Sequence, residues 1–210
     1  MTPIVSYLII GITVLFSIQG FGNRNLIDRM INVPFLVKHD KEYYRLISHG
    51  FIHADWMHLI LNMYVFYNFG PFMENFMVAK YGITGGRILF SVLYLGALIF
   101  GSIPSMRKHG DHYEYRSLGA SGAVSAILIV FMVTMPLAGI GFFFVPMPAY
   151  VGALLFFAVE LILHKRGNTI IAHDAHMFGA VFGLLFLALT DFTVYIQFFK
   201  SVGAHLAGLF

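Results

Sequence analysis

The strongest constraint on this chain is its longest uncharged stretch. From Ser117 to Val159 there is no aspartate, glutamate, lysine or arginine. At about 1.5 Å per residue, a helix of this length would measure roughly 65 Å, about twice the 30 Å thickness of a bilayer core. The stretch therefore fits two membrane crossings with a turn between them. Prolines and glycines mark that turn, at Pro136, Gly139, Gly141, Pro146 and Pro148.

Apolar stretches of similar length recur along the chain, and they predict six membrane-spanning helices. The predicted spans are about 3–22, 54–78, 88–106, 119–136, 147–164 and 170–190. Of the 210 residues, 59% are hydrophobic and 11% are charged, which is typical of a membrane protein. We therefore predict an all-α fold, a polytopic six-helix bundle that forms a single domain over residues 1–210. We expect the first loop, about 23–52, to be structured and the tail, about 191–210, to lie at the interface.

Composition also excludes several functions. The chain has no cysteine, which rules out disulfides, thiolate metal sites and a cysteine nucleophile. The net charge is +3 and the basic residues are scattered, so we predict no nucleic-acid partner. The apolar segments continue to the C-terminus, so we expect no cleaved export signal.

Polar side chains at the start of the second predicted span need an explanation, because such groups are costly in a membrane and often functional. The series is His49, His53, His58 and Asn62. The first two residues are four apart, and so are the last two, so each pair would share one face of a helix. Hydrogen bonds at the membrane interface would explain any one of the histidines. Asn62 lies a turn inside the apolar run and needs a buried partner.

A serine and a histidine lie on two separate stripes of small residues. Ser121 belongs to a GASG sequence, and His176 begins an i, i+3, i+7 pattern with Gly179 and Gly183. Small residues allow helices to approach closely, so packing alone would explain GASG. Two such stripes could also bring the serine hydroxyl within hydrogen-bond reach of the imidazole, as a nucleophile and its base require.

Other polar groups fit this hypothesis in different ways. His58, Asn62 and the backbone N–H of Ser121 could donate to an oxyanion. Asp174 lies two residues from His176, about 160° away around a helix, so we expect it to be structural. We expect Glu74 to pair with a neighbouring loop.

Together these residues resemble the rhomboid family of intramembrane serine proteases, and the resemblance covers nearly the whole chain. It rests on a Gly-x-Ser-Gly box, an Ala-His-x-x-Gly-x-x-x-Gly pattern and a His-x3-His-x4-His-x3-Asn series. The family also usually has an arginine and a glutamate at the positions of Arg45 and Glu74. The motif residues are Gly119, Ser121, Gly122, Ala175, His176, Gly179, Gly183, His49, His53, His58 and Asn62.

The resemblance implies a Ser121 and His176 dyad with no acidic third member, and an oxyanion hole that includes His58 and Asn62. It implies cleavage of transmembrane helices of membrane-protein substrates, without metal or cofactor, in a cavity open to the extracytoplasmic side. We expect a bacterial inner membrane. The residues expected to support the site are Gly119, Gly122, Gly179, Gly183, His49, His53, Glu74 and Arg45.

Three features depart from the family pattern. Tyr44 replaces a tryptophan, and Ser125 replaces an aromatic ring that stacks on the catalytic histidine, so something else must orient His176. Ten of the thirteen lysines and arginines lie in odd-numbered loops, which positive-inside counting places in the cytoplasm. The resemblance places these loops outside, and we follow it because a long, folded first loop weakens the charge rule.

Two alternative functions remain open from the sequence. A histidine-lined metal or proton transporter would explain His49, His53 and His173 but would leave the Gly-x-Ser-Gly box as packing. A catalytically inactive relative would only bind membrane helices, although such proteins typically lack the serine or the histidine.

Overall fold

A computed structural model describes residues 1–142, 145–166 and 173–208. The described chain is mainly helical, as predicted, with a two-stranded hairpin. The helices are α1 (Ile4–Gly22), α2 (Arg24–Met30), α3 (Pro34–His39), α4 (Arg45–Ser48), α5 (Trp56–Tyr81), α6 (Ile83–Gly101), α7 (Ile103–His109), α8 (Ser121–Thr134), α9 (Ala149–Arg166), α10 (His173–Thr190) and α11 (Thr193–Ala207). The strands are β1 (Gly139–Phe142) and β2 (Val145–Pro148), and a 3-10 turn covers His49–Phe51.

The hairpin is a correction to the all-α prediction. β1 and β2 pair antiparallel, with Gly139 opposite Pro148 and Phe142 opposite Val145. It lies where the sequence predicted the turn between the fourth and fifth spans. Glycine and proline end helices, but they do not distinguish a coil from a short hairpin, so the strand pairing was missed.

Three segments are long and apolar enough to cross a membrane, by length and composition, within the described residues. They are Ile4–Gly22, Ile83–His109 and His173–Thr190. The apolar helices at Ser121–Thr134 and Ala149–Ile162 are shorter. The chain is therefore a helical membrane protein, and its six crossings remain a prediction.

The first loop contains helices α2 to α4 and is held by a buried arginine. The guanidinium of Arg45 donates to the carbonyl oxygens of Asp28 and Ile31, at 2.8 Å each, and to the carboxylate of Glu42. Backbone hydrogen bonds between Asn32 and Ser117 then join this loop to the segment that precedes α8. Arg45 thus fixes the loop that lies against the start of α8.

Helix α8 is the innermost and one of the shortest of the apolar helices. It packs against α10, α6, α5 and α9. Along its 14 residues only Ser121, Leu128 and Thr134 are partly exposed. Its length of about 21 Å is less than the roughly 30 Å thickness of a bilayer core.

Helices α8 and α10 touch backbone to backbone. A Cβ added at Gly179 would collide with the backbone of Gly122, approaching its Cα to 2.9 Å. One turn further along, a Cβ at Gly183 would lie 2.8 Å from the carbonyl oxygen of Ala126. The small-residue stripes therefore form one close helix contact, as the sequence pattern predicts.

Glu74 caps α1 at the end of the molecule away from Ser121. Its carboxylate accepts hydrogen bonds from the backbone N–H groups of Val5 and Ser6 and from the Ser6 hydroxyl, at 2.7 to 3.1 Å. Sixteen residues of α5 separate Glu74 from His58, a distance of about 24 Å along the axis. The expectation that Glu74 supports the site and pairs with a loop is wrong, because it lies far from His58 and its partners are the start of α1 and, at 3.6 Å, the guanidinium of Arg87 on α6.

The Gly122–Gly179 contact predicts a large cost for one added methyl group. Gly179→Ala should lower the free energy of unfolding by about 1–3 kcal/mol, because a backbone contact cannot yield as a side chain can. Thermal unfolding in detergent measures this. Gly11→Ala on α1, where a Cβ would meet nothing within 4 Å, is the matched control and should cause no loss. Equal stability of the two variants would contradict the close contact.

Candidate active site

Ser121 begins α8 because the chain turns sharply just before it. Gly119 has φ of +119°, and a Cβ there would lie 2.9 Å from Nε2 of His58. Only glycine fits both the backbone angle and the space. The first-turn N–H groups of α8, beginning at Ser121, have no intrahelical acceptor and carry the positive end of the helix dipole. Ser121 thus lies beside donors that suit a developing oxyanion.

His53 holds the residue before Ser121. The backbone N–H of Ala120 donates to Nε2 of His53 at 3.3 Å, and Nδ1 of His53 lies 3.0 Å from the Ser17 hydroxyl on α1. Ser17 in turn donates to the carbonyl oxygen of Phe51. Burial, assisted by nearby His58, lowers the pKa of His53 to about 3, so its ring is neutral and Nε2 can accept.

His49 supports the same segment from the other side. Its carbonyl oxygen accepts from the N–H of Gly119 at 2.9 Å, and its Nε2 lies 3.1 Å from the hydroxyl of Ser102. Burial lowers the pKa of His49 to about 4. His49 and His53 therefore hold the backbone that presents Ser121.

His58 and Asn62 lie next to this segment. The half-buried His58 ring lies against Gly119 and meets the His53 ring edge-on at 4.8 Å. The amide of the buried Asn62 donates to the His58 carbonyl oxygen at 2.9 Å. Asn62 thus bonds a backbone carbonyl of its own helix at a half-buried residue, which differs from the buried partner expected for it. The second N–H of its amide is not used in this bond.

A carboxylate that the sequence analysis missed contacts His176. Oε1 of Glu160, on α9, lies 3.0 Å from Nδ1 of His176, and Oε2 lies 2.7 Å from Nδ1 of His173. The resemblance implied no acidic group here, yet Glu160 provides the orientation that Ser125 cannot. One signal could have identified it, since Glu160 is an ionisable residue inside a predicted span.

Ser121 and His176 flank the close contact between α8 and α10. Ser121 is adjacent to Gly122, and His176 is one turn before Gly179. Their side chains make no mutual hydrogen bond in the described part of the chain. The hydrogen bond to Glu160 involves Nδ1 of His176 and not Nε2. Catalytic hydrogen bonds often tighten only when substrate binds.

A cavity of about 360 Å³ adjoins Ser121. Its lining includes Gly119, Ser102 and His173. At its margin the carboxylate of Asp174 lies 2.5 Å from the ammonium of Lys108, and both side chains are partly exposed. Asp174 thus contacts a surface lysine, in keeping with the structural role expected for it.

The sequence matches the Rhomboid domain description over residues 40–193, which is most of the chain. The chain belongs to the rhomboid family. This match includes the glycine-serine segment, both helices of the Gly122–Gly179 contact and the histidine series.

Individual relatives agree with this family. The RHOMBOID-like protein 12, mitochondrial, of Arabidopsis thaliana is 32% identical over 64% of this chain and 43% of its own length. Rhomboid protein 1, mitochondrial, of Saccharomyces cerevisiae is 28% identical over 67% of this chain and 40% of its own. The putative rhomboid protease YdcA of Bacillus subtilis is 31% identical over 43% and 41%. The rhomboid described here thus matches about two fifths of the length of these relatives. Two of them are named mitochondrial, so the similarity does not support the expected bacterial inner membrane.

The two lowered histidine pKa values predict that this rhomboid loses stability in acid. The unfolded chain, with an ordinary pKa near 6.5, binds protons that folded His49 and His53 do not. The free energy of unfolding should therefore fall as pH drops below about 6.5, by at most about 1.4 kcal/mol per pH unit for each histidine. Thermal unfolding between pH 7 and pH 4.5 measures the slope.

Two variants test the origin of that slope. His53→Gln should flatten it, because one titrating group is gone. His112→Asn, in an exposed loop, should keep the wild-type slope. Identical slopes in wild type and His53→Gln would contradict the assignment.

Proposed function

We propose that this rhomboid is an intramembrane serine endopeptidase that cleaves a peptide bond in or near a transmembrane helix of a membrane protein. One observation carries the proposal. Ser121 begins the short, enclosed helix α8, directly beside the helix that carries His176, and a buried carboxylate holds that histidine by Nδ1.

In the proposed reaction, the Ser121 hydroxyl attacks the substrate carbonyl while Nε2 of His176 takes its proton. Glu160 keeps the His176 proton on Nδ1 and stabilises the imidazolium that forms. The backbone N–H of Ser121 and the side chains of His58 and Asn62 donate to the oxyanion. His176 returns the proton to the leaving amine, and water then hydrolyses the acyl-enzyme.

The position of Ser121 also favours a membrane-embedded substrate. A helix of about 21 Å cannot reach both faces of a bilayer core, and we propose that the end carrying Ser121 is the one sunk below the surface. A substrate helix must unwind to present its backbone there, because helical carbonyl groups are already hydrogen bonded. We further propose six crossings, made by α1, α5, α6, α8, α9 and α10, with the site open to the extracytoplasmic side.

The alternative hypothesis of a metal or proton transporter has less support. It requires histidine side chains that line a pathway, whereas both ring nitrogens of His53 are engaged, by the Ser17 hydroxyl and by the backbone N–H of Ala120. It also gives no role to the Gly-x-Ser-Gly box around Ser121. The hypothesis of a catalytically inactive relative fits poorly because Ser121 and His176 are both present. Metal-dependent uptake by proteoliposomes without any proteolysis would favour the transporter.

Removing either reacting group should abolish cleavage. Purified Ser121→Ala and His176→Ala should each lower kcat/KM for a model transmembrane substrate by about 1000-fold or more. A fluorophosphonate probe should label wild type at Ser121 and fail to label Ser121→Ala. Ser125→Ala, one turn along α8, is the matched control and should keep both cleavage and labelling. Cleavage by either active-site variant at the wild-type rate would refute the mechanism.

Glu160 should matter for catalysis rather than for substrate binding. Glu160→Gln should lower kcat at least about tenfold with little change in KM, because the amide cannot stabilise the imidazolium. Steady-state kinetics measures the two parameters separately. Glu114→Gln, an exposed loop change, should leave both unchanged. An increase in KM alone would show that Glu160 contributes to substrate binding instead.

A further inference from the structure

Glu160 contacts a second histidine that the proposed reaction does not use. His173 and His176 lie three residues apart on one face of α10, and their Nδ1 atoms approach the two oxygens of the same carboxylate. One ligand atom from each of the three residues can be chosen so that all lie within 4.8 Å of one another. The cluster thus combines two imidazoles and a carboxylate from two helices.

His173 is buried, and only one of its two ring nitrogens has a hydrogen-bond partner among the described residues. Its side chain is 4% exposed, and its Nε2 has no hydrogen-bond partner among the described residues. His173 is also among the residues that line the cavity beside Ser121. A buried polar nitrogen without a partner is costly, so the position calls for a role beyond packing.

The donor set suits a zinc-class divalent cation. Two histidines and one glutamate, with an open fourth position, are a known ligand set for Zn²⁺. The two ring centroids are 6.0 Å apart at 80° to each other. Imidazoles that share one ion at an N–Zn distance of about 2.1 Å have centroids roughly 5–6.5 Å apart, so only small side-chain adjustments are needed.

We propose that Glu160, His173 and His176 form an inhibitory binding site for a divalent cation of the zinc class. The inhibition rests on the proposed protease function and follows from the tautomer of His176. A neutral imidazole has one N–H and one lone pair. A cation on Nδ1 takes that lone pair and places the proton on Nε2. Nε2 can then no longer accept the proton of Ser121, and Glu160 no longer holds the ring by a hydrogen bond.

Direct binding is the first test, and it needs no cleavage. Full-length protein in detergent is stripped with EDTA and titrated with Zn²⁺ by calorimetry, and with Co²⁺ by visible absorption. Wild type should bind one ion, with the absorption bands of a four-coordinate cobalt site. His173→Asn should weaken binding at least about tenfold, and His112→Asn in the exposed loop should not. Absence of binding to wild type, or equal affinity in wild type and His173→Asn, would overturn the site.

Inhibition is the second test, measured for each protein against its own metal-free rate. Zn²⁺ should inhibit wild-type cleavage with a midpoint near the measured Kd, and EDTA should restore activity. The midpoint for His173→Asn should rise at least about tenfold. Zinc-activated cleavage, or equal midpoints, would overturn the inhibitory role. If the protein binds zinc but cleaves no substrate even when it is metal-free, the proposed protease function and the inhibition are both refuted. The proposed binding site would then still stand.

Discussion

The approach of α8 to α10 at Gly122 and Gly179 is the contact on which the rest of the structure depends. Because neither residue has a side chain, the two backbones touch, and Gly122 also lies against the carbonyl oxygen of Ala175. Ser121 is adjacent to Gly122, and His176 is adjacent to Ala175. In a membrane, where lipid is as apolar as leucine, close packing of this kind is a main source of helix association. The same contact therefore stabilises the bundle and positions the candidate catalytic pair.

Most of the polar side chains around Ser121 and His176 make hydrogen bonds. His49 and His53 hold the backbone that leads into α8, and Glu160 orients two histidines on α10. Buried polar groups are expensive unless they are paired, and here each pair also positions a part of the site. His49 and His53 thus support the segment before Ser121, which gives these histidines a structural reason to occur beside an apolar helix.

The sequence was informative where a pattern has one physical meaning. Uncharged stretches predicted the apolar helices, and the small-residue stripes predicted the α8–α10 contact, because only small residues let helices approach so closely. The sequence was less informative about which distant residues a buried carboxylate would contact. Glu74 was assigned to the site because it matches a position where the rhomboid family usually has a glutamate, yet the 26-residue helix α5 carries it to the opposite end from His58. Glu160 was missed because its partner, His176, lies on another helix, and no local pattern joins them.

Helix α1 contributes to the candidate active site, although none of the sequence motifs lies on it. Ser17 bonds His53, and Nε2 of His53 accepts from the backbone N–H of Ala120, the residue before Ser121. At its other end α1 is anchored to Glu74. The first helix is thus held at both ends, and from one of them two hydrogen bonds lead through His53 to the residue before Ser121. A change in the tilt or register of α1 would therefore be transmitted to the backbone that presents Ser121.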